Sequence, residues 1–325
     1  MNKQIRDFVL EVTGASAISS QQVIQTLWSG YGEIVRTELV DSELKSVVLK
    51  YIVLPSETNH PRGWNTNLSH ARKIKSYAVE MHWYRDWSQR CGQACRVAHC
   101  YATTAAADES VIVLEDLNAA GFPLRKSDLN MAEVKLCLNW LANFHATFMA
   151  EKPDGLWQTG TYWHLETRPD EWAAMAEGDL KNAAAQLDRR LNDCRYQTLV
   201  HGDAKVDNFC FSANGQAVAA LDFQYVGAGC GMKDVVYLLG SCLSEQQCEQ
   251  WQQELLDYYF AVLQQALKTT DKPLEWDQLK TEWQAMYAIA WADFYRFLSG
   301  WMPSHRKINP YTERLAAEAI ASLNQ

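Results

Sequence analysis

Apolar residues recur at helical spacing near the start of the chain, where Ile5, Phe8, Val9 and Val12 share one face of a short helix within residues 1–20. The rhythm then shortens to two. Val23–Trp28, Glu33–Val40 and Ser46–Val53 are rich in β-branched and apolar residues, which predicts strands. Gly30-Tyr31-Gly32 separates the first two and the polar turn Asp41-Ser42-Glu43 the second pair, so the three read as an antiparallel meander. A polar loop over 55–75 leads into a helix at about Ala71–Asp86, followed by a strand over Arg96–Thr103. Val111–Leu114 is a short buried strand ending at Glu115-Asp116-Leu117. From Ala132 the helical period returns in Val134, Leu138, Leu141, His145 and Phe148. Residues 151–178 are irregular and Lys181–Asn192 is helical. Thr198–Val200 and Ala217–Leu221 are strands flanking a loop, and from Asp234 on the chain is helical, with apolar stripes over 246–267, 275–300 and 311–323. Strands first and helices afterwards argue an α+β fold of two segregated lobes.

Composition narrows the class. With 325 residues, 48% hydrophobic and 21% charged, the chain has ordinary globular composition, which rules out a disordered, collagenous or coiled-coil protein. A net charge of -9 lacks the basic footprint of a nucleic-acid binder, so no nucleic-acid partner is expected. Asp7 and Glu11 interrupt any apolar leader, and the charge-free stretch Val12–Gly32 holds nine Ser, Thr or Gln residues, so no membrane partner and a cytoplasmic location are expected. The nine cysteines form no C-x-x-C pair. Cys91, Cys95 and Cys100 lie near His99 without a fourth ligand at zinc spacing, so all nine read as reduced thiols.

The chemistry concentrates in the loop after Val200: His201-Gly202-Asp203-Ala204-Lys205-Val206-Asp207-Asn208. Nineteen residues beyond Asp203, a strand ends in Asp222-Phe223-Gln224. Carboxylate and amide oxygens are the hard ligands that Mg²⁺ prefers, and Mg²⁺ takes one or two carboxylates together with phosphate oxygens. A further carboxylate must stay free of metal to accept a hydroxyl proton. Asp-x-x-x-x-Asn followed by Asp supplies these roles in the order of a kinase catalytic loop.

On these residues the chain resembles the aminoglycoside-phosphotransferase and choline-kinase group, whose loop starts His-Gly-Asp, and within it Asp-Phe-Gln resembles the ecdysteroid-kinase-like branch. The resemblance spans nearly the whole chain. It implies a bilobal protein-kinase-like fold, with a nucleotide-binding lobe over 1–117, a hinge at about 114–118 and a helical catalytic lobe over 118–325. It implies ATP and Mg²⁺ as cofactors and transfer of the γ-phosphate to a hydroxyl of a small molecule. Lys50 looks like the lysine that pairs with the ATP phosphates, and Glu80 like the helix glutamate that orients it. Gly30 and Gly32 occupy the hairpin expected to cover the phosphates, while Glu115 and Leu117 would offer hinge backbone to adenine. Asp203 would orient or deprotonate the acceptor, Lys205 would neutralise charge on the transferring phosphate, and Asn208 and Asp222 would hold Mg²⁺. Asp234 would brace the loop, and His201 and His145 would be structural. Gln224 stands where protein kinases have Gly, so their in/out switch is not expected. The resemblance favours a larger apolar alcohol as acceptor. A cationic substrate of the choline or aminoglycoside type, and an inactive ATP-binding module, are the alternatives.

Thirteen tryptophans outnumber ten phenylalanines. Trp28, Trp64, Trp83 and Trp87 are assigned to packing in the first lobe and Trp140 to the core. Trp163, Trp291 and Trp301, with Asp293, are the candidates for an acceptor-binding wall.

Overall fold

The computed structural model describes residues 1–27, 30–53, 67–106, 109–270, 272 and 274–323. Trp28, Trp64 and residues 55–66 of the expected polar loop lie outside the described residues. Helix α1 (Lys3–Thr13) starts where the Asn2 side chain accepts the Ile5 N–H and stops at Gly14 in a left-handed conformation. Strands β1 (Ala17–Thr26), β2 (Gly32–Val40) and β3 (Ser46–Val53) form the expected antiparallel meander. Helix α2 (Asn67–His82) continues into a π-helical turn at Trp83–Trp87, and β4 (Cys100–Ala105) and β5 (Glu109–Glu115) complete a sheet of order β1-β2-β3-β5-β4.

The period of two in β3 separates two jobs. Val47 and Leu49 face outward, packing with Val111 and Val113 against Ile5 and Val9 of α1. Val48 and Lys50 face the other way and line the cleft.

The second lobe begins with α3 (Met131–Thr147), whose capping box pairs Asn130 with Glu133. It continues through α4 (Pro169–Ala174), α5 (Asp179–Asn192), and the short strands β6 (Thr198–Val200), β7 (Phe209–Phe211), β8 (Val218–Ala220) and β9 (Gly227–Gly229). Helices α6 (Met232–Cys242), α7 (Glu245–Leu267), α8 (Trp276–Trp301) and α9 (Pro310–Leu323) complete it. β6 pairs with β9 and β7 with β8, both antiparallel. The sequence reading missed β7 and β9, each only three residues long. One large core joins the lobes, running from Val79, Trp83 and Ile112 through α3 to α8. All nine cysteines carry free thiols. Among the described residues no helix is long and apolar enough to cross a membrane.

Candidate functional site

A cavity of about 1250 Å³ lies between the sheet and the helical lobe. β3 presents Lys50 on its floor, and the last turn of α2 presents Glu80 opposite. The Lys50 ammonium lies 2.6 Å from Glu80 Oε2 and 3.2 Å from Asp222 Oδ1. Both Lys50 and Glu80 are buried. Burial alone would discharge Lys50, but Asp222 and Glu80 reverse that and hold its affinity for the proton above the usual lysine range. Burial also works against the charge on Asp222. The cations of Lys50, Lys205 and Lys73 outweigh it and hold the carboxyl at about 2, so it is ionised at neutral pH.

Three successive residues of the segment carrying Asp222 meet β3, the π-helical turn after α2, and α2 itself. Asp222 has a positive φ of 69°, uncommon for a side-chain-bearing residue, and reaches Lys50 from that conformation. Phe223 stacks on Trp83 at 4.6 Å between centroids and packs 4.5 Å from the His201 ring. Gln224 Oε1 accepts from Lys73 Nζ at 2.8 Å and Ser76 Oγ at 3.3 Å. Lys73 and Ser76 lie seven and four residues before Glu80, on its face of the helix. The departure from glycine at 224 is therefore a strut that ties the Glu80 helix to the metal-candidate loop. The sequence flagged the substitution but not its partners; the helical spacing of Lys73, Ser76 and Glu80 was the available signal.

The loop after β6 is held from below. The buried Asp234 carboxylate on α6 accepts the His201 N–H at 2.6 Å and the Gly202 N–H at 3.0 Å, and lies 3.1 Å from His145 Nε2. Gly202 has φ 78°, and a Cβ there would meet the Tyr225 carbonyl at 2.1 Å, so only glycine fits. The Asp203 N–H donates to His201 Nδ1, which makes Nε2 the protonated nitrogen that donates to the Leu221 carbonyl. His145, His201 and Asp234 are thus the structural residues that the sequence reading took them for. Asn208 donates its amide to the Asp203 carbonyl at 2.7 Å and to Asp203 Oδ2 at 3.1 Å, which leaves its Oδ1 for another partner. Lys205 Nζ lies 3.5 Å from Asp203 Oδ2. Burial raises the Asp203 carboxyl above its ordinary range; Lys205 opposes this and Asp222 adds to it. Tyr237 lines the cavity beside Asp203, a neighbour the sequence reading missed although Tyr237 lies one helical turn beyond Asp234.

Glu115 and Leu117 line the same cavity. The Glu115 N–H bonds the His99 carbonyl at 2.8 Å, and the Leu117 carbonyl accepts the Phe122 N–H at 2.8 Å. The Glu115 carboxylate is turned to Arg96 and the His99 N–H.

Five of the expected site residues are placed differently. Gly30 and Gly32 do not line the cavity among the described residues. Gly32 instead lets β2 approach β3, where a Cβ would meet the Tyr51 carbonyl at 2.1 Å. Trp163, Asp293 and Trp291 belong to the core. Trp163 Nε1 donates to Asp293 Oδ2 at 3.1 Å, and Arg296 closes the group by bonding Asp293 and the Trp163 carbonyl. Trp291 packs against Gly240 and edge-on to Tyr311. Of the four wall candidates, Trp301 lines the cavity, stacked on Phe297.

No curated protein sequence matches the chain. Solved structures resemble it in fold, two of them as follows. One is a microcompartment-associated aminopropanol kinase, 16% identical with a TM-score of 0.50, covering 99% of this chain and 94% of that one. The other is choline kinase from Cryptosporidium parvum Iowa II, 11% identical with a TM-score of 0.51, covering 95% and 88%. Both are kinases of two lobes, the architecture seen here. The ecdysteroid kinase-like family model matches residues 41–162 and 174–272, more than half of the chain and including Lys50, Glu80 and the loop from His201 to Gln224, so this chain belongs to the ecdysteroid kinase-like family.

Proposed function

We propose that the protein is an ATP-dependent phosphotransferase that moves the γ-phosphate of ATP to a hydroxyl of a small molecule. The observation that carries this reading is the convergence of Lys50, Glu80, Asp203, Asn208 and Asp222 on one cleft with the hydrogen bonds and ion pairs described above. The cleft also inverts the charge of the chain: eight lysine and arginine side chains line it against six carboxylates, in a protein of net charge -9. That balance suits a polyanionic nucleotide.

We place the hinge at 114–118, between a nucleotide-binding lobe (1–117) and an acceptor-binding lobe (118–325). The Glu115 carbonyl and the Leu117 N–H are the backbone groups we assign to adenine. Lys50, held by Glu80, meets the phosphates. The donor set fits Mg²⁺: Asp222 is ionised, and Asn208 has its amide nitrogen committed and its Oδ1 free for a cation. Bound there, Mg²⁺ would neutralise charge across the phosphate oxygens.

Asp203, kept free for the acceptor, takes the hydroxyl proton. The acceptor oxygen forms the new bond to the γ-phosphorus as the bond to the bridging oxygen breaks, and ADP leaves. Lys205 offsets charge on the moving phosphoryl group, so positioning and electrostatics supply most of the rate. The reading is tested with Asp203→Ala: ADP release driven by a hydroxyl acceptor should fall on the order of 10²–10⁴-fold while Mg·ATP binding persists. Turnover near wild type in that variant would refute the assignment.

A further inference from the structure

Around Asp203 the cleft wall is aromatic, built by Tyr162, Tyr225, Tyr237, Phe297 and Trp301. Such faces attract ammonium ligands when they are open. Here the protein's own cations lie over three of the five rings. The Arg168 guanidinium lies 5.6 Å from the Tyr162 ring centre and 5.3 Å from that of Phe297. Lys307 Nζ lies 4.9 Å from the Tyr237 ring centre.

A second guanidinium comes from the opposite lobe. Arg72 of α2 donates to the Thr167 carbonyl at 2.6 Å and to Ser69 Oγ at 3.3 Å, which sets it beside Arg168. Arg168 is anchored by the Tyr162 carbonyl at 2.6 Å and Glu171 at 3.1 Å. Both guanidinium groups keep further N–H donors after these bonds and line the cavity. The carboxylates within reach are Glu171 and Asp170 for the arginines and Asp203 for Lys307. Two carboxylates thus face the two arginines, and Lys307 shares Asp203 with Lys205. Burial and Arg168 lower the proton affinity of Arg72. Burial, Arg306 and Lys205 pull Lys307 down to about 8 against the opposing effect of Asp203. Two guanidinium groups with spare N–H donors stand together at this end of the cleft.

We infer that the acceptor is a hydroxyl compound with an apolar ring body and a carboxylate, the carboxylate bound between Arg72 and Arg168 and the ring lying against Tyr162, Phe297 and Trp301. This deepens the phosphotransfer reading and rests on it for the placement of the hydroxyl at Asp203. A cationic acceptor of the choline or aminoglycoside kind would meet the two guanidinium groups as like charge.

The test uses a matched set: para-hydroxymethyl benzoate, its methyl ester and para-hydroxymethyl benzylamine. Binding is measured calorimetrically with Mg²⁺ and a non-hydrolysable ATP analogue, in the full-length wild type, Arg72→Gln, Arg72→Lys and Asp203→Asn. The acid should bind on the order of 10- to 100-fold tighter than the ester, with the amine weakest. Arg72→Gln should erase the advantage of the acid and leave the ester unchanged; Arg72→Lys should keep part of it; Asp203→Asn should keep all of it. An amine that binds best, equal affinities, absent binding of the acid at millimolar concentration, or an acid preference that survives Arg72→Gln each overturns the inference. Transfer of phosphate from Mg·ATP to the acid is followed separately. Carboxylate preference without transfer sinks the phosphotransfer reading alone, whereas transfer without that preference sinks the charge reading alone.

Discussion

Removing Asp234 should destabilise the whole protein through one buried carboxylate. Asp234 is fully buried, and its two oxygens satisfy two backbone N–H groups and a histidine. Since the His201 and Gly202 N–H groups both point at the carboxylate, Asp234→Ala leaves two buried donors without acceptors. Each orphaned group costs about 1–3 kcal/mol, so the loss is roughly 2–6 kcal/mol. Against a typical total of about 5–15 kcal/mol, that is a large share. Asp234→Asn keeps one acceptor oxygen but turns an NH₂ toward a backbone donor, so about 1–3 kcal/mol is expected. His145 donates from Nε2 to Asp234 and accepts from the Tyr259 hydroxyl at Nδ1, so the damage should spread to that pair. Urea unfolding followed by tryptophan fluorescence measures both variants, and hydrogen exchange at residues 201–203 reports whether the loop loosens. An Asp234→Ala protein within about 0.5 kcal/mol of wild type, the usual range for harmless surface changes, would refute the bracing argument.

Further outcomes follow from the same geometry. Gln224→Gly removes the acceptor of Lys73 and Ser76, so hydrogen exchange in α2 should rise and transfer should fall about tenfold, roughly the 1.4 kcal/mol of one to two lost hydrogen bonds; unchanged exchange in α2 contradicts the strut. Gly202→Ala meets both a left-handed backbone and the Tyr225 carbonyl, so it should cost more than the roughly 1–2 kcal/mol of the backbone conformation alone in a thermal melt. The acid limb of transfer activity should lie above the ordinary aspartate range, because Asp203 must lose its proton to act and burial raises its proton affinity. Lys205 stabilises the ionised form, so Lys205→Ala should move that limb to higher pH; a shift to lower pH in the pH–rate profile would reverse the sign argued here.

Local pattern carried much of the fold. The alternation in β3 set its bounds and put Val47 and Leu49 on one face, and the turn signals between the first strands gave the meander. The catalytic-loop spacing was legible because its residues lie within one short stretch. Pairings across long separations were not. Trp163 and Asp293 are 130 residues apart and satisfy each other in the core, so nothing in either local pattern showed that both were spent. β9 was invisible because Gly227-Ala228-Gly229 reads as a loop; its bonds go to β6 and to Trp157, which only the tertiary fold brings near. Arg72 and Arg168 likewise became a pair only when the two lobes closed on each other.

The central claim is transfer of a phosphoryl group at Asp203, and phosphorus NMR of the reaction mixture tests it most directly. With Mg·ATP and a panel of hydroxyl compounds, the wild type should convert the γ-phosphate signal into a phosphate-ester signal as ADP appears. Asp203→Asn should bind Mg·ATP and form no ester on the same timescale. Ester formation at the wild-type rate by Asp203→Asn, or a wild type that forms no ester with any member of the panel, would contradict the account.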